Sequence, residues 1–396
     1  MKMKQAEFIA LSACIMTLTA LGIDIMLPVL GELRKHFGLR PESTDTAKII
    51  GFFFMGQVAQ IIFGTLSDRF GRLAILRIGF PLYITGGIAA AFAPSLELMY
   101  AARFVAGMGA SALFMVTIAG VRDRFAGDQM ARIMSLIFTI FLFTPIIAPF
   151  LGLAILSFSS WQMVFLTPPL FAVIIFLWSL RLKESLPREQ RISLKWKSIG
   201  QSIRKVISNR VFLRYTAITT FLFTALGSYV ASSEHIIGEI YKRPELFPWI
   251  FSGMGLTMAI CTWINSHLSS KYGAQRTIRG LLVIYTAVAG LLLLYTYTAG
   301  DPPGMIIFFI GLTMLMALNL AIEPNSSSLA LEPMGNMAGT ASAVYGTCFF
   351  FVGATLGSVI NGLMVNGVFP LVLSFFAIGL IDTLLAFSDR RPRKIK

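Results

Sequence analysis

Apolar residues gather into twelve windows of about 18 to 27 residues, near 8–30, 48–66, 73–93, 96–121, 131–156, 161–181, 212–237, 246–267, 276–299, 304–331, 337–363 and 367–388. At about 1.5 Å of rise per residue, each is long enough to cross a hydrocarbon core of roughly 30 Å. The pattern predicts an all-α membrane protein with twelve transmembrane helices. One long polar stretch, 182–211, interrupts the series after the sixth window and includes Lys195-Trp196-Lys197 and an amphipathic run around Ile199–Ile207. It divides the chain into 1–181, a linker 182–211, and 212–396. The simplest reading of the linker is a membrane-surface segment whose basic face meets anionic lipid. The first window follows Met1-Lys2-Met3-Lys4 and runs for about 20 residues, the span of a membrane helix rather than a signal-peptide core, so it is read as an uncleaved first helix.

Composition agrees. Of 396 residues, 56% are hydrophobic and 13% charged, with 34 Phe, and the mean hydropathy is +0.75. Polar groups this sparse cannot cover a water-soluble globule. The formal net charge of +14 would suggest nucleic acid in a soluble chain. Here the cations cluster in loops and act as an orientation signal, with no nucleic-acid partner expected. With the N-terminus inside, roughly 26 Lys and Arg fall on the inner side and roughly 6 on the outer, among them Arg34, so both termini are expected in the cytoplasm. Cys14, Cys261 and Cys348 lie inside apolar runs, and neither a disulfide framework nor a metal site is expected. His36, His235 and His267 are scattered, and no metalloprotease, nucleophile-elbow or Walker motif occurs. Neither an enzyme nor an ATP-driven pump is expected, and no cofactor.

The loop Gly64-Thr-Leu-Ser-Asp-Arg-Phe-Gly-Arg72 joins the second and third runs. Its glycines permit a tight turn, and Asp68 can sit against a helix N-terminus or an arginine, with Arg69 and Arg72 to hand. Ser266-His-Leu-Ser-Ser-Lys-Tyr-Gly273 lines up with this loop at an offset of about 202, with Ser270 in place of Asp68. Arg124-Phe-Ala-Gly-Asp-Gln-Met-Ala131 likewise parallels Glu332-Pro-Met-Gly-Asn-Met-Ala338. The chain thus reads as two related halves of six helices, the arrangement of a transporter with a central site.

Ionisable groups within apolar runs are costly and mark function. Asp24 on helix 1 should face a cavity or a cation. Arg103 on helix 4 lies at a similar depth, which makes an ion pair with Asp24 possible. Glu323 on helix 10, more than two turns from either helix end, is a candidate for coupling or for substrate. Pro145 and Pro149 with small neighbours on helix 5 predict a kinked face for close helix contact. Gln57, Gln60, Tyr229, Asn265, Asn319, Asn325 and Tyr345 are polar tips able to line a cavity. Each alone is also satisfied by an interhelical hydrogen bond.

The full pattern Gly-x-Leu-Ser-Asp-Arg-x-Gly-Arg at 64–72 resembles the signature loop between helices 2 and 3 of the major facilitator superfamily of secondary transporters. Arg103-x-x-x-Gly107-x-Gly109-Ala110 resembles its helix-4 motif, and Thr144-Pro-Ile-Ile-Ala-Pro-Phe-Leu-Gly152 its antiporter motif. Asp24 with Leu27-Pro28, and Asn325 with the following run into Ala338-Gly-Thr-Ala-Ser-Ala343, resemble the bicyclomycin- and chloramphenicol-resistance branch of drug:proton antiporters. The resemblance implies a major facilitator fold of two pseudo-symmetric six-helix bundles in a bacterial inner membrane, working as a monomer by rocker-switch alternating access. It implies a proton-coupled exporter of drugs or small toxic metabolites. In that reading Asp24, Arg103 and Glu323 handle protons, and Gly64, Asp68, Arg69, Gly71, Arg72, Pro145 and Pro149 serve the conformational switch. A proton-coupled carrier of a small polar metabolite, such as a siderophore or an amino acid, is the alternative, with Arg103 binding a substrate carboxylate. Whether Asp24 or Glu323 carries the proton stays open.

Overall fold

The computed structural model describes residues 3–191, 196–365 and 367–388. Lys2, Lys195 and the tail Arg390–Lys396 lie outside the described residues, as do the side chains of Trp196 and Lys197. Among the described residues the structure is helical throughout, without a strand. Twelve helices among the described residues are long and apolar enough to cross a membrane. They are α1 (Gln5–His36), α2 (Ala47–Phe70), α3 (Arg72–Ala91), α4 (Leu96–Arg122), α5 (Arg132–Phe158), α6 (Trp161–Ser179), α7 (Arg210–Ile240), α8 (Pro244–Tyr272), α9 (Ala274–Ala299), α10 (Met305–Gly335), α11 (Gly339–Gly362) and α12 (Phe369–Phe387). A linker helix, Trp196–Ile207, fills most of the polar stretch and buries Val206 while exposing Arg204 and Lys205.

Several helices run past their apolar windows into charged sequence, because interhelical contacts shelter the polar turns at their ends. The clearest correction is at 64–72. Instead of a loop, α2 continues through Phe70, and Gly71 alone makes the turn, with φ 99°. A residue with a Cβ is strained at that φ, and its Cβ would strike the Glu184 carboxylate. The same device recurs at Gly273, φ 81°, between α8 and α9. Gly127 and Gly335, the paired glycines of the second repeat, also share positive φ, at 55° and 40°.

Four spans are irregular at or beside a polar residue. In α1 the α-helical turns end at Asp24 and resume at Leu30, because Pro28 has no N–H to return to the Asp24 carbonyl. In α2 a 3₁₀ turn covers Gln57–Ala59. A π turn, His235–Ile240, follows Glu234 in α7, and another, Cys348–Val352, follows Tyr345 in α11 by three residues. Such breaks leave backbone groups free and aim side chains off the helix axis, which is why they concentrate at working sites.

The chain forms two compact units, residues 1–199 with 231–255, and residues 200–230 with 256–396. Both α7 and α8 therefore contribute to each. In the first unit, α2, α3 and α4 approach through small residues; a Cβ on Gly107 would overlap the Phe53 carbonyl. In the second, α9 and α12 are joined by a 3.0 Å hydrogen bond between the Thr286 and Thr383 hydroxyls.

Candidate functional site

Within the first unit, Asp24 sits at the break in α1. It is only 6% exposed, and its carboxylate makes no ion pair or hydrogen bond with any described residue. Arg103, 2% exposed, does not pair with it. The guanidinium instead donates to the Gly22 carbonyl at 2.5 Å and lies 4.4 Å from the Phe53 ring centroid. A cation on an aromatic face and a carbonyl is partly compensated without an anion. Its Nε has no partner. The Tyr83 hydroxyl donates to the Leu18 carbonyl at 2.6 Å, tying α3 to the turn of α1 below. The expected ion pair is thus not made; Arg103 holds the α1 backbone two residues before the carboxylate. Nearby in sequence on α2, the Gln60 amide donates to Gln57 Oε1 at 3.3 Å, leaving Gln57 Nε2 unpaired.

Helix α5 meets the α1 break as its small-residue face predicts. Gly152 lies so close to the Ile25 carbonyl that a Cβ would overlap it, with Pro28 also adjacent. Pro145 and Pro149 both lie within the helix, and the Ser252 hydroxyl of α8 donates to the Ile146 carbonyl between them at 2.7 Å.

At the α2–α3 turn, Asp68 finds an arginine. Arg72 Nη1 donates to Asp68 Oδ1 and to the Ser67 hydroxyl, each at 2.6 Å, and Nε donates to Asp123 Oδ2 at 3.0 Å. Arg69 is exposed, over the Phe70 ring, and Gly64 is an ordinary helical residue of α2. The helix N-terminus goes to Glu184 instead. This residue follows α6, and its carboxylate accepts the Arg72 and Leu73 N–H groups at 3.0 and 3.2 Å, plus those of Ser185 and Leu186 at 2.9 and 3.0 Å. Burial alone would raise the Glu184 pKa, but the four backbone donors outweigh it and hold the carboxyl below the usual carboxylate range.

In the second unit, the Tyr345 hydroxyl donates to Glu323 Oε1 at 2.9 Å. Pro324 follows Glu323 within the continuous helix α10, and Tyr345 comes from the turns that precede the α11 π segment. Asn325 donates to Asn265 Oδ1 at 2.8 Å, and Asn319 donates to the Leu222 carbonyl at 2.7 Å. These three amides are buried and engaged with other helices, as is usual for polar residues between membrane helices. Tyr229 is buried in α7. Chemically, the Glu323–Tyr345 pair joins a carboxylate to a hydroxyl donor with no cation among its partners, a site able to exchange a proton.

Three features escaped sequence reasoning. Glu184 carries a capping role that only the fold reveals. Arg34, assigned to the outer loop by charge, is fully buried and ion-paired to Glu234 and Glu239. Asp382, wholly buried in α12, has neither carboxylate oxygen hydrogen-bonded, and the nearby Tyr285 hydroxyl is likewise unpaired. A lone acid in an apolar run was legible there and could have been singled out.

The profile of the Major Facilitator Superfamily matches residues 12–358. The chain is 27% identical over 397 residues to a bicyclomycin resistance protein homolog of Haemophilus influenzae, covering 98% of this chain and 97% of that one. It is 26% identical over 345 residues to the multidrug resistance protein MdtL of Shigella dysenteriae, covering 86% and 85%. Among solved structures, the xylose transporter XylE from E. coli in a partially occluded inward-open conformation superposes with a TM-score of 0.74 over 98% of each chain, at 14% identity. That likeness concerns the fold.

Proposed function

Because the chain belongs to the major facilitator superfamily and is a multi-pass membrane transporter, not an enzyme, we propose that it exports drugs or small toxic metabolites in exchange for protons. The drug-resistance names of its relatives support the substrate class. The observation that supports proton coupling is the pair of carboxylates inside apolar spans, Asp24 at the break in α1 and Glu323 within α10. Among the described residues Asp24 has no partner, and Glu323 is hydrogen-bonded by the hydroxyls of Tyr345 and Ser327. A carboxylate in hydrocarbon without a cation is costly to charge, so each site favours a proton until water or a cationic substrate arrives. Proton and substrate competing for one site give antiport, because each weakens the other's binding.

In this reading the chain works as a monomer in a bacterial inner membrane with both termini in the cytoplasm. The halves 1–181 and 212–396, joined by the linker 182–211, carry out alternating access, with substrate near the membrane midplane. Gln57, Gln60, Tyr229, Asn265, Asn319, Asn325 and Tyr345 contribute to the substrate path. The turn at Gly71 with Asp68 and Arg72, and the α5 face with Pro145 and Pro149, serve the switch.

Purified protein in proteoliposomes with an imposed pH gradient, challenged with a panel of drugs and organic acids, tests the proposal. Gradient-driven movement of a drug against the proton flux, abolished by a protonophore, is expected. Movement of a polar metabolite in the same direction as the proton would replace the exporter with an importer.

A further inference from the structure

Helix α7 buries a series of hydroxyl side chains, Thr216, Thr219, Thr220, Thr224 and Ser228. A hydroxyl inside a membrane helix is ordinarily satisfied by the carbonyl three or four residues earlier. Thr220, Thr224 and Ser228 each make such a bond, donating to the Thr216, Thr220 and Ala225 carbonyls at 2.7, 2.9 and 2.9 Å. The two nearest the Arg210 end differ. Thr219 donates to the carbonyls of Tyr215 and Thr216 at 3.1 and 3.0 Å, and its hydroxyl is also within hydrogen-bonding reach of the Tyr345 hydroxyl. Thr216 Oγ1 is buried without a hydrogen-bond partner among the described residues.

These groups and Glu323 all belong to the second unit, and the helices that carry them are fixed against one another. Asn319 of α10 donates to the Leu222 carbonyl of α7 at 2.7 Å, and a Cβ on Gly353 of α11 would stand 3.1 Å from the Thr220 carbonyl oxygen. Tyr345 therefore reaches Glu323 Oε1 on one side, at 2.9 Å, and Thr219 on the other. Ser327 lies within hydrogen-bonding reach of both Glu323 and Tyr345, and among the described residues no charged group is a partner of Glu323. Thr216 stands one turn beyond Thr219, about 9 Å from the Arg210 end of α7 at 1.5 Å per residue. A hydroxyl donates one proton while accepting another, so hydroxyls in series pass a proton along without any of them keeping a charge. Packing does not account for the end of this series, because valine would fill the Thr216 site at nearly the same size without an orphaned buried oxygen.

We propose that Tyr345, Thr219 and Thr216 relay protons between Glu323 and the Arg210 end of α7. On release, the Glu323 proton passes to the Tyr345 oxygen as the Tyr345 proton passes to Thr219 Oγ1. The Thr219 proton passes to Thr216 Oγ1, and the Thr216 proton to water at the end of the helix. Each hydroxyl finishes with one proton, and only Glu323 has changed charge. Uptake runs the same steps in reverse. The relay governs how fast Glu323 exchanges its proton, not how tightly it holds it. The proposal rests on the proton-coupled reading above, in which the Arg210 end of α7 faces the cytoplasm.

The test reads the Glu323 carboxyl directly. In full-length protein in detergent, its infrared C=O band is identified by its absence from Glu323→Gln, and its response to a pH jump from a photolysed caged proton is timed. Thr219→Val and Thr216→Val, which keep the size and remove the hydroxyl, should each slow that response about fivefold or more while leaving its equilibrium midpoint in place. Tyr345→Phe should slow it as well. Thr219→Ser, which keeps the hydroxyl, should respond within about twofold of the parent. A role in packing alone would favour valine over the smaller serine and would not separate rate from midpoint. Folded Thr219→Val protein that responds at the parental rate would overturn the relay. So would slowing by Ser327→Ala with Thr219→Val unmoved, which routes the proton along α10 instead. A parental band that stays constant at every pH where the protein is folded removes Glu323 as a proton site, and with it the reading on which the relay rests. A band that titrates, at rates the α7 variants do not change, removes the relay alone.

Discussion

Glu184 caps the helix that Arg72 opens: its Oε1 accepts the Arg72 N–H at 3.0 Å while the Arg72 side chain turns away to Asp68 and Asp123. One residue thus has its backbone anchored by one acid and its side chain by two others. The α2–α3 turn, the end of α4 and the segment after α6 are thereby joined into one polar cluster. Gly71 makes this possible, because only a residue without a Cβ leaves room for the Glu184 carboxylate.

Glu184→Ala should destabilise the protein by about 1 kcal/mol, the usual worth of a helix cap. The pH dependence has a definite sign. Because the native Glu184 pKa is depressed, its stabilisation is fully present above the unfolded value of about 4.3 and is lost as pH falls through the native value. The melting temperatures of parent and Glu184→Ala in detergent should therefore differ at pH 7 and converge towards pH 3. Equal melting temperatures at pH 7 would show that the cap contributes nothing.

Asp68→Asn should express normally and transport more slowly, because one end state of the switch loses a charge. The loss should be partial, since Arg72 keeps Asp123 at 3.0 Å. Asp68→Asn combined with Asp123→Asn should cost more than the sum of the two single changes, as expected for partners of one arginine. Initial rates in proteoliposomes decide it, and additive effects would mean the two acids act separately.

Much of this architecture was legible because membrane helices announce themselves by length and hydropathy, and the positions of Asp24, Arg103 and Glu323 by their isolation in apolar runs. What could not be read is how each polar group is satisfied. The run 64–72 has loop-like composition, yet it is helical to Phe70, and Asp123 and Glu184, from distant parts of the chain, take the side chain and the N–H of its Arg72. Arg34 looked like a loop cation because its two acids lie about 200 residues away. Depth alone suggested Asp24 with Arg103; rotation about the helix and the nearby Phe53 ring and Gly22 carbonyl decide otherwise.

Arg103→Lys should lose at least tenfold in transport. A lysine keeps the charge but not the guanidinium, which lies 4.4 Å from the Phe53 ring centroid while its Nη2 donates to the Gly22 carbonyl. Full activity in this variant would reduce Arg103 to a point charge.

Asp382→Asn should fold and transport within about twofold of the parent, with melting unchanged or raised. Neither carboxylate oxygen has a donor and no water reaches the side chain, so a charge there would cost several kcal/mol and a neutral isostere removes that liability. A large loss of transport with intact folding would instead mark Asp382 as a third proton site.

The last prediction concerns which acid carries the proton. Glu323 has a hydroxyl donor in Tyr345 at 2.9 Å, ready to stabilise the charged form once the proton leaves, whereas Asp24 has no donor at all among the described residues. A group that must alternate between protonated and charged forms is served by a partner that can remain bonded in both, since a hydroxyl can donate to a carboxylate and accept from a carboxylic acid. This favours Glu323 as the carrier, with Asp24 responding to movement at the α1 break. Substrate-induced proton release from detergent-solubilised protein should then disappear in Glu323→Gln and fall in Tyr345→Phe, while persisting in Asp24→Asn. Release that persists in Glu323→Gln and vanishes in Asp24→Asn would assign the carrier to Asp24, with Glu323 left to bind substrate through the same hydroxyl-bonded carboxylate.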